Sequence, residues 1–296
     1  MEWQQIISFD RVARLGSFTK AAKATFRTQS AVSQQVKHLE EELGCRLLER
    51  IGKRKLRLTS AGEKFLDFSN SVLEKYEALC EELKEAGASQ AGRLRMAASF
   101  TTLYHLFPSP LKSYISRFPN VQLTLLDRPQ QDILDLINSG DIDFGLVQES
   151  FVNATLTAIR WKKVKTVVMV PTGHPLAKEK RITLKQITGY PLILPPKRLQ
   201  HRTILEKKLQ ALDIDYHIIL EASNVELSSL YVEMGLGIAF ATIVEDLSFL
   251  NNRALEFLPM DHLFKPDHIV IAMRKGKSLS AYKKAFIQTL AEEGSL

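Results

Sequence analysis

The stretch Thr28-Gln29-Ser30-Ala31-Val32-Ser33-Gln34-Gln35-Val36-Lys37-His38-Leu39-Glu40-Glu41-Glu42-Leu43-Gly44 decides the reading of this chain. Val32, Val36, Leu39 and Leu43 recur at the spacing that aligns side chains along one stripe of an α-helix. Ser30, Ser33, Gln34 and Lys37 fall on the opposite side. Thr28 is suited to cap the helix at its start, and Gly44 to end it. One face therefore anchors in a core while the other offers hydroxyls, an amide and a cation. Hydroxyls and amides hydrogen-bond base edges, an ammonium neutralises phosphate, and a major groove admits a helix of this size.

Working outward, Ile6, Phe9, Val12 and Ala13 form a helical stripe that Gly16 closes. Thr19 is the expected N-cap of a second short helix through Ala21-Ala22-Lys23-Ala24, with Phe18 outside it as a packing anchor. The paired alanines let helices approach closely. On the other side, Leu47-Leu48-Glu49-Arg50 and Leu56-Arg57-Leu58 flank Gly52-Lys53-Arg54-Lys55. Two alternating strands around a basic tip make a hairpin wing, and Lys53 and Arg54 at its tip can reach the phosphate backbone or the minor groove. A basic run alone also suits a solvated turn, and a polar face suits any surface helix. The combination of short helix, turn, half-polar helix and basic hairpin is what specifies a DNA-binding head.

The charge distribution agrees. The whole chain carries +7, with a pI near 9.3, a weak pointer to a polyanionic partner. From Arg11 to Arg57, twelve lysines and arginines stand against only four acids, Glu40, Glu41, Glu42 and Glu49. The basic excess therefore sits in the segment just read as a head. Cys45 and Cys80 lack the spacing of a zinc site or a disulfide framework. No apolar run approaches membrane-spanning length, and Met1-Glu2-Trp3-Gln4-Gln5 does not open a secretory leader. The expectation is a cytoplasmic protein that makes no membrane contact.

At this point a family resemblance becomes specific. Phe9-x-x-Val12-Ala13-x-x-Gly16-Ser17-Phe18-Thr19-x-Ala21-Ala22, the quoted stretch from Thr28 to Gly44, and Leu47-Leu48-x-Arg50 through Leu58-Thr59-x-Ala61-Gly62 together resemble, in order, the head of LysR-type transcriptional regulators. Two departures bear on packing and base preference: Leu48 stands where the family usually has Phe, and Phe26-Arg27 replaces a more common aliphatic pair. The resemblance implies a winged helix-turn-helix over residues 1–59, with Gln29, Ser30, Ser33, Gln34 and Lys37 facing DNA and wing contacts near Lys53 and Arg54.

Residues 60–91 read as a linker. Ser60 can cap a helix in which Phe65, Phe68, Val72, Tyr76, Leu79 and Leu83 make a near-heptad seam flanked by charges. Gly87 and the small polar run 88–92 then act as a hinge. The seam fits self-pairing, or packing on its own domain. The resemblance favours the first, since LysR-type proteins dimerise through this helix and commonly assemble as homotetramers. Two paired heads would read an imperfect inverted repeat in double-stranded promoter DNA. Contact with RNA polymerase at the promoter is a further partner such a regulator would have.

From Arg93 onward strands and helices alternate, which predicts an α/β architecture with a mostly parallel sheet. Strands are expected at 93–98, 121–126, 144–147, 166–170, 192–194, 217–222, 238–241 and 269–273. Helices are expected at 103–118, around Ile133–Ile137, at 203–212, 225–234 and 279–291. Ser99 to Phe118-Pro119-x-Val121, Gly140-Asp141-Ile142-Asp143-Phe144, His174-Pro175-Leu176 and Met234-Gly235-x-Gly237-Ile238 resemble the LysR-type effector domain, more loosely than the head does. This implies a two-lobed fold like type 2 periplasmic binding proteins over 92–296, with lobe I at 92–165 and 267–296 and lobe II at 166–266. Crossings near Thr166 and Pro266 would form the hinge.

In such folds ligands sit beyond strand carboxyl ends, in the crevice between lobes. Ser99, Thr101, Thr102 and Gln148 are candidates from the first lobe; Arg198, His201, Arg202, Ser223 and Asn224 are candidates from the second. The hydroxyls suit an anion or cap a helix. The arginines suit a carboxylate, sulfate or phosphate, or are solvated surface residues. No metal, cofactor or catalytic residues are expected: the seven histidines are scattered and HExxH, GxSxG and P-loop patterns are missing. The alternative function is a small-molecule binding protein without a regulatory role, which leaves the basic head unexplained.

Overall fold

The computed structural model describes residues 1–51, 55–85, 91–197, 200–244, 253–277 and 279–294. Lys53 and Arg54 of the expected wing tip, residues 87–90 of the expected hinge, and Arg198 lie outside the described residues, as does the side chain of His201. The chain divides into two compact units, Met1–Gly92 with Gly276–Lys283, and Arg93–Lys275 with Lys284–Leu296.

In the first unit, α1 (Trp3–Leu15), α2 (Phe18–Ala24) and α3 (Gln29–Leu43) precede an antiparallel hairpin of β1 (Leu48–Ile51) and β2 (Lys55–Leu58) and the long helix α4 (Ser60–Glu85). The apolar stripes meet in one core: Ile6, Phe9 and Val12 of α1, Ala21 and Ala22 of α2, Val32, Val36 and Leu39 of α3, with Leu47, Leu48 and Phe65. Thr28 caps α3, its hydroxyl accepting from Ala31 N at 3.2 Å, and Gly44 ends it at φ +65°.

Two cap assignments are corrected. Ser17, not Thr19, caps α2, accepting from Lys20 N at 3.3 Å. The helix starts two residues earlier, so Phe18 enters its first turn, and the Thr19 hydroxyl donates instead to Gln29 at 3.0 Å. Thr59, not Ser60, caps α4: its Oγ1 accepts from Gly62 N at 3.0 Å while donating to Arg46 O at 2.7 Å. This hydroxyl ties the base of the wing to the linker, and Gly62 permits the approach, because a Cβ there would stand 2.0 Å from Leu47 O.

The linker seam is divided. Phe65 is buried in the head, edge-on to Phe9 at 5.0 Å between centroids, and Val72 packs on the same core. Phe65 therefore serves its own domain rather than standing free for a partner. Phe68, Tyr76, Leu79 and Leu83 are exposed.

Among the described residues, the second unit is built on a nine-stranded sheet in the order β4-β3-β5-β11-β6-β9-β7-β8, with β10 paired to β6. The strands are β3 (Gly92–Ala98), β4 (Val121–Asp127), β5 (Phe144–Gln148), β6 (Leu156–Pro171), β7 (Leu192–Leu194), β8 (Ile218–Glu221), β9 (Ile238–Val244), β10 (Leu255–Pro259) and β11 (Asp267–Arg274). The helices are α5 (Pro108–Arg117), α6 (Gln130–Ser139), α7 (Leu184–Thr188), α8 (Gln200–Ala211), α9 (Val225–Glu233) and α10 (Ala281–Gly294). A π-helical turn, Thr102–Leu106, precedes α5 where one continuous helix was expected, and Pro108 begins the α-helix proper. A proline lacks the N–H that a continuous helix would use, but is well suited to a helix start.

The sheet is mixed rather than mostly parallel. β3–β5, β7–β8 and β7–β9 are parallel, but β11 runs antiparallel to both β5 and β6, and β6 runs antiparallel to β9 and β10. The reason is the length of β6. Its first half pairs with β11 from Leu156 to Val164, and its second half with β9 and β10 from Val164 to Pro171, so one strand serves two lobes. The alternation along its second half feeds two cores. Val168 and Val170 face Leu192, Leu194 and Leu205, while Val167 and Met169 face Ile193, Val232 and Ala239. On the first lobe Ile133, Ile137 and Val270 share a core, and Phe107, Tyr114 and Phe144 surround Phe286 of α10.

Candidate functional site

In the first unit the residues expected at DNA share one exposed face. Gln29, Ser30, Ser33, Gln34 and Lys37 of α3 are all exposed, and Val32, Val36 and Leu39 are buried behind them. Gln29 accepts from Thr19 at 3.0 Å, and Ser30 lies 3.1 Å from the Thr28 hydroxyl, so the start of α3 is fastened to the turn before it. Lys37 Nζ rests 3.4 Å from Glu41, an exposed pair one helical turn apart. Such pairs are weak, so Lys37 can exchange Glu41 for a phosphate at little cost.

Several supports of this face carry no motif. Glu40 Oε1 accepts from Leu47 N at 2.7 Å and Leu48 N at 3.0 Å, holding the wing's first strand against the recognition helix. Gln35 is bonded to Ser8 of α1. Asp10, buried, accepts from Arg14 at 2.8 Å, and Arg14 donates in turn to Asn70 of α4. A buried carboxylate needs such partners.

In the second unit the lobes enclose a cleft of about 860 Å³ lined by Ser99, Thr101, Thr102 and Gln148 on one side and by Arg202, Ser223 and Asn224 on the other. The described candidates are thus gathered in one place. Their roles differ in detail. Ser99 and Thr102 hydroxyls lie 3.0 Å apart. Asn224 caps α9, accepting from Leu227 N at 2.9 Å. Arg202, for which a solvated position was the alternative, is fully buried. Its Nε donates to Glu206 at 2.6 Å and its Nη1 to Pro195 O at 2.9 Å, with Glu221 Oε1 at 3.3 Å. Its buried Nη2 has no hydrogen-bond partner among the described residues.

Glu206 also accepts from Tyr216 OH at 2.8 Å. Desolvation pushes the Glu206 carboxyl up, but hydrogen bonds from Arg202 and Tyr216 and the nearby positive charges outweigh it and hold it below the ordinary range. Desolvation, reinforced by that same carboxylate, raises the Tyr216 phenol.

Two residues where the lobes meet have no counterpart among the expected ones: His105, which lines the cleft, and Glu226, which contacts it. Glu226, in the first turn of α9, accepts from Thr101 at 3.2 Å and lies 2.6 Å from His105 Nε2. His105 follows Thr101 by one helical turn, so helical spacing could have marked it; Glu226 comes from the other lobe and carries no such signal. Elsewhere Glu149, Asp267 and His268 bring possible ligand atoms together. Arg160 Nε lies 2.9 Å from both oxygens of Glu149 and already satisfies that carboxylate. No described helix is long and apolar enough to cross a membrane.

A winged helix-turn-helix with an exposed polar face on α3, carried on the same chain as a two-lobed α/β unit whose cleft presents hydroxyls and an arginine among apolar walls, defines an effector-responsive DNA-binding transcriptional regulator. The comparisons place it further. The profile for the bacterial regulatory helix-turn-helix protein, lysR family, matches residues 3–63, and that for the LysR substrate binding domain matches residues 87–295. The chain belongs to the LysR family of transcriptional regulators. It is 29% identical over 282 residues to the HTH-type transcriptional regulator CysB of Burkholderia cenocepacia, covering 93% of this chain and 87% of that one. It is 30% identical over 282 residues to the HTH-type transcriptional activator CmpR of Synechocystis, covering 95% and 92%. Full-length OxyR of Pseudomonas aeruginosa shares the fold, with a TM-score of 0.70 at 23% identity, over 100% of this chain and 95% of that one.

Proposed function

We propose that this regulator binds promoter DNA as a homo-oligomer, through the head at 1–59 and the linker at 60–91, and responds to a small oxyanion held in the cleft of 92–296. The carrying observation is Arg202: a fully buried guanidinium on the cleft wall with an Nη2 lacking a described partner. A buried cation keeps an unused donor only at a cost that an anionic ligand would remove. Ser99 and Thr102 offer hydroxyls from the opposite lobe, so a small carboxylate, phosphate or sulfate would bridge both. The Glu226 carboxylate holds the neighbouring Thr101 hydroxyl, so an anion at Ser99 and Thr102 repels it. Binding thereby changes how the lobes meet, which is the differential affinity between two states that regulation requires. The two paired heads then change their separation on DNA.

The test is thermal unfolding of the full chain with sulfate, phosphate and short carboxylates at constant ionic strength, beside footprinting on DNA flanking its own gene. A saturable rise in melting temperature that disappears in Ser99→Ala/Thr102→Val, with a changed footprint, is expected. Equal shifts in parent and variant, or an unchanged footprint at saturation, overturn the reading.

A further inference from the structure

Phe26 is 97% exposed and sits at φ +54°. Both facts are unfavourable for the isolated head. The end of α2 forms a Schellman turn: Arg27 N donates to Ala22 O at 2.9 Å, and Phe26 N donates to Lys23 O at 3.3 Å. That geometry puts Phe26 at the left-handed position where glycine, or else asparagine, is favoured. The other two left-handed helix ends of the same head use glycine, Gly16 at φ +58° and Gly44 at φ +65°. A phenyl ring in this position gains no burial within the head to offset its strain or its contact with water.

Its surroundings identify what would cover it. Phe26 lies two residues before the α3 cap, between Lys23 and Arg27 and beside Thr28, Gln29 and Ser30, all exposed. When a helix-turn-helix docks, the first residues of its second helix enter the major groove and its first helix crosses the backbone. The turn between them comes to the groove rim. Cations there meet phosphates, whereas an apolar ring meets the apolar feature of that groove, the 5-methyl of thymine.

We infer that Phe26 is a specificity-determining residue of the DNA interface, packing on a thymine 5-methyl at the edge of the site read by α3. Because the contact is uncharged, it contributes to affinity without releasing counterions.

The full-length protein, its Phe26→Ala and Phe26→Asn variants, and operator DNA scanned with single thymine-to-uracil changes test this. Phe26→Ala is expected to weaken operator binding by about fivefold, from the loss of roughly one apolar contact, with an unchanged salt slope. Phe26→Asn relieves the backbone and is expected to raise the melting temperature while weakening binding, which separates the effect from misfolding. Uracil at one position per half-site is expected to weaken the parent and leave Phe26→Ala unaffected. Unchanged affinity in Phe26→Ala overturns the inference. So does a loss that no thymine methyl accounts for, or one explained by a change of oligomeric state, which would place a second copy of the chain on the ring.

Discussion

Glu226 Oε1 lies 2.6 Å from His105 Nε2, so side chains from the two lobes of the effector unit meet across the cleft. The contact is largely shielded from solvent, with side-chain exposures of 20% for Glu226 and 9% for His105. It joins the π-helical turn after β3 to the first turn of α9, and Thr101 shares the same carboxylate.

This arrangement sets an expectation for Glu226→Gln. Removing the negative charge while keeping the shape removes repulsion against an incoming anion. Affinity for inorganic sulfate or phosphate is expected to rise by about tenfold, since like charges facing each other at a binding surface are strongly unfavourable. Isothermal titration of parent and variant decides it; a weaker or unchanged affinity would show that the carboxylate does not compete with the ligand.

Glu40 gives a prediction for the head. Its carboxylate holds the N–H groups of Leu47 and Leu48. Glu40→Ala leaves both without that acceptor and is expected to destabilise the head by about 1–3 kcal/mol, with weaker DNA binding because the wing loses its fixed start. Denaturant titration measures the first effect and a gel shift the second.

The exposed part of the linker seam predicts an assembly effect. Leu79 is 51% and Leu83 is 67% exposed, so replacing both with Glu costs the single chain little. In the oligomer it puts charges into an apolar seam. Light scattering is expected to show dissociation with the fold retained by circular dichroism; an intact oligomer would place the interface elsewhere.

The Glu206–Arg202–Tyr216 cluster predicts a pH dependence. The folded-state pKa of Glu206 is depressed, so its contribution to stability is present above the unfolded value of about 4.3. It is lost as pH falls through the lower folded value. Glu206→Gln is therefore expected to be less stable than the parent at neutral pH, with the difference shrinking on acidification below about pH 4.3. Urea midpoints across that range test the sign.

Legibility in the sequence followed the range of the interactions. The recognition helix was readable because Val32, Val36, Leu39 and their polar opposites obey a period set by the backbone itself. Most strands and helices of the effector unit were readable for the same reason. The first half of β6 was missed, since Leu156–Lys165 mixes charged and apolar residues along a strand that leads from one lobe toward the other. β10 was missed as well; its five residues are only partly buried or exposed and pair along β6. Caps slipped by one or two residues where two hydroxyls stood close together, as with Ser17 against Thr19 and Thr59 against Ser60.

What the chain determines on its own is therefore local: helical stripes, the polar face of α3, the alternation that makes an α/β unit, and the basic excess of the head. Burial of Arg202, the junction of Glu226 with His105, the hold of Glu40 on the wing and the diversion of Phe65 into the head core belong to the tertiary structure. Each joins groups that no sequence period relates, and whether a charge or a ring is satisfied depends on which neighbours folding brings within hydrogen-bond or contact distance.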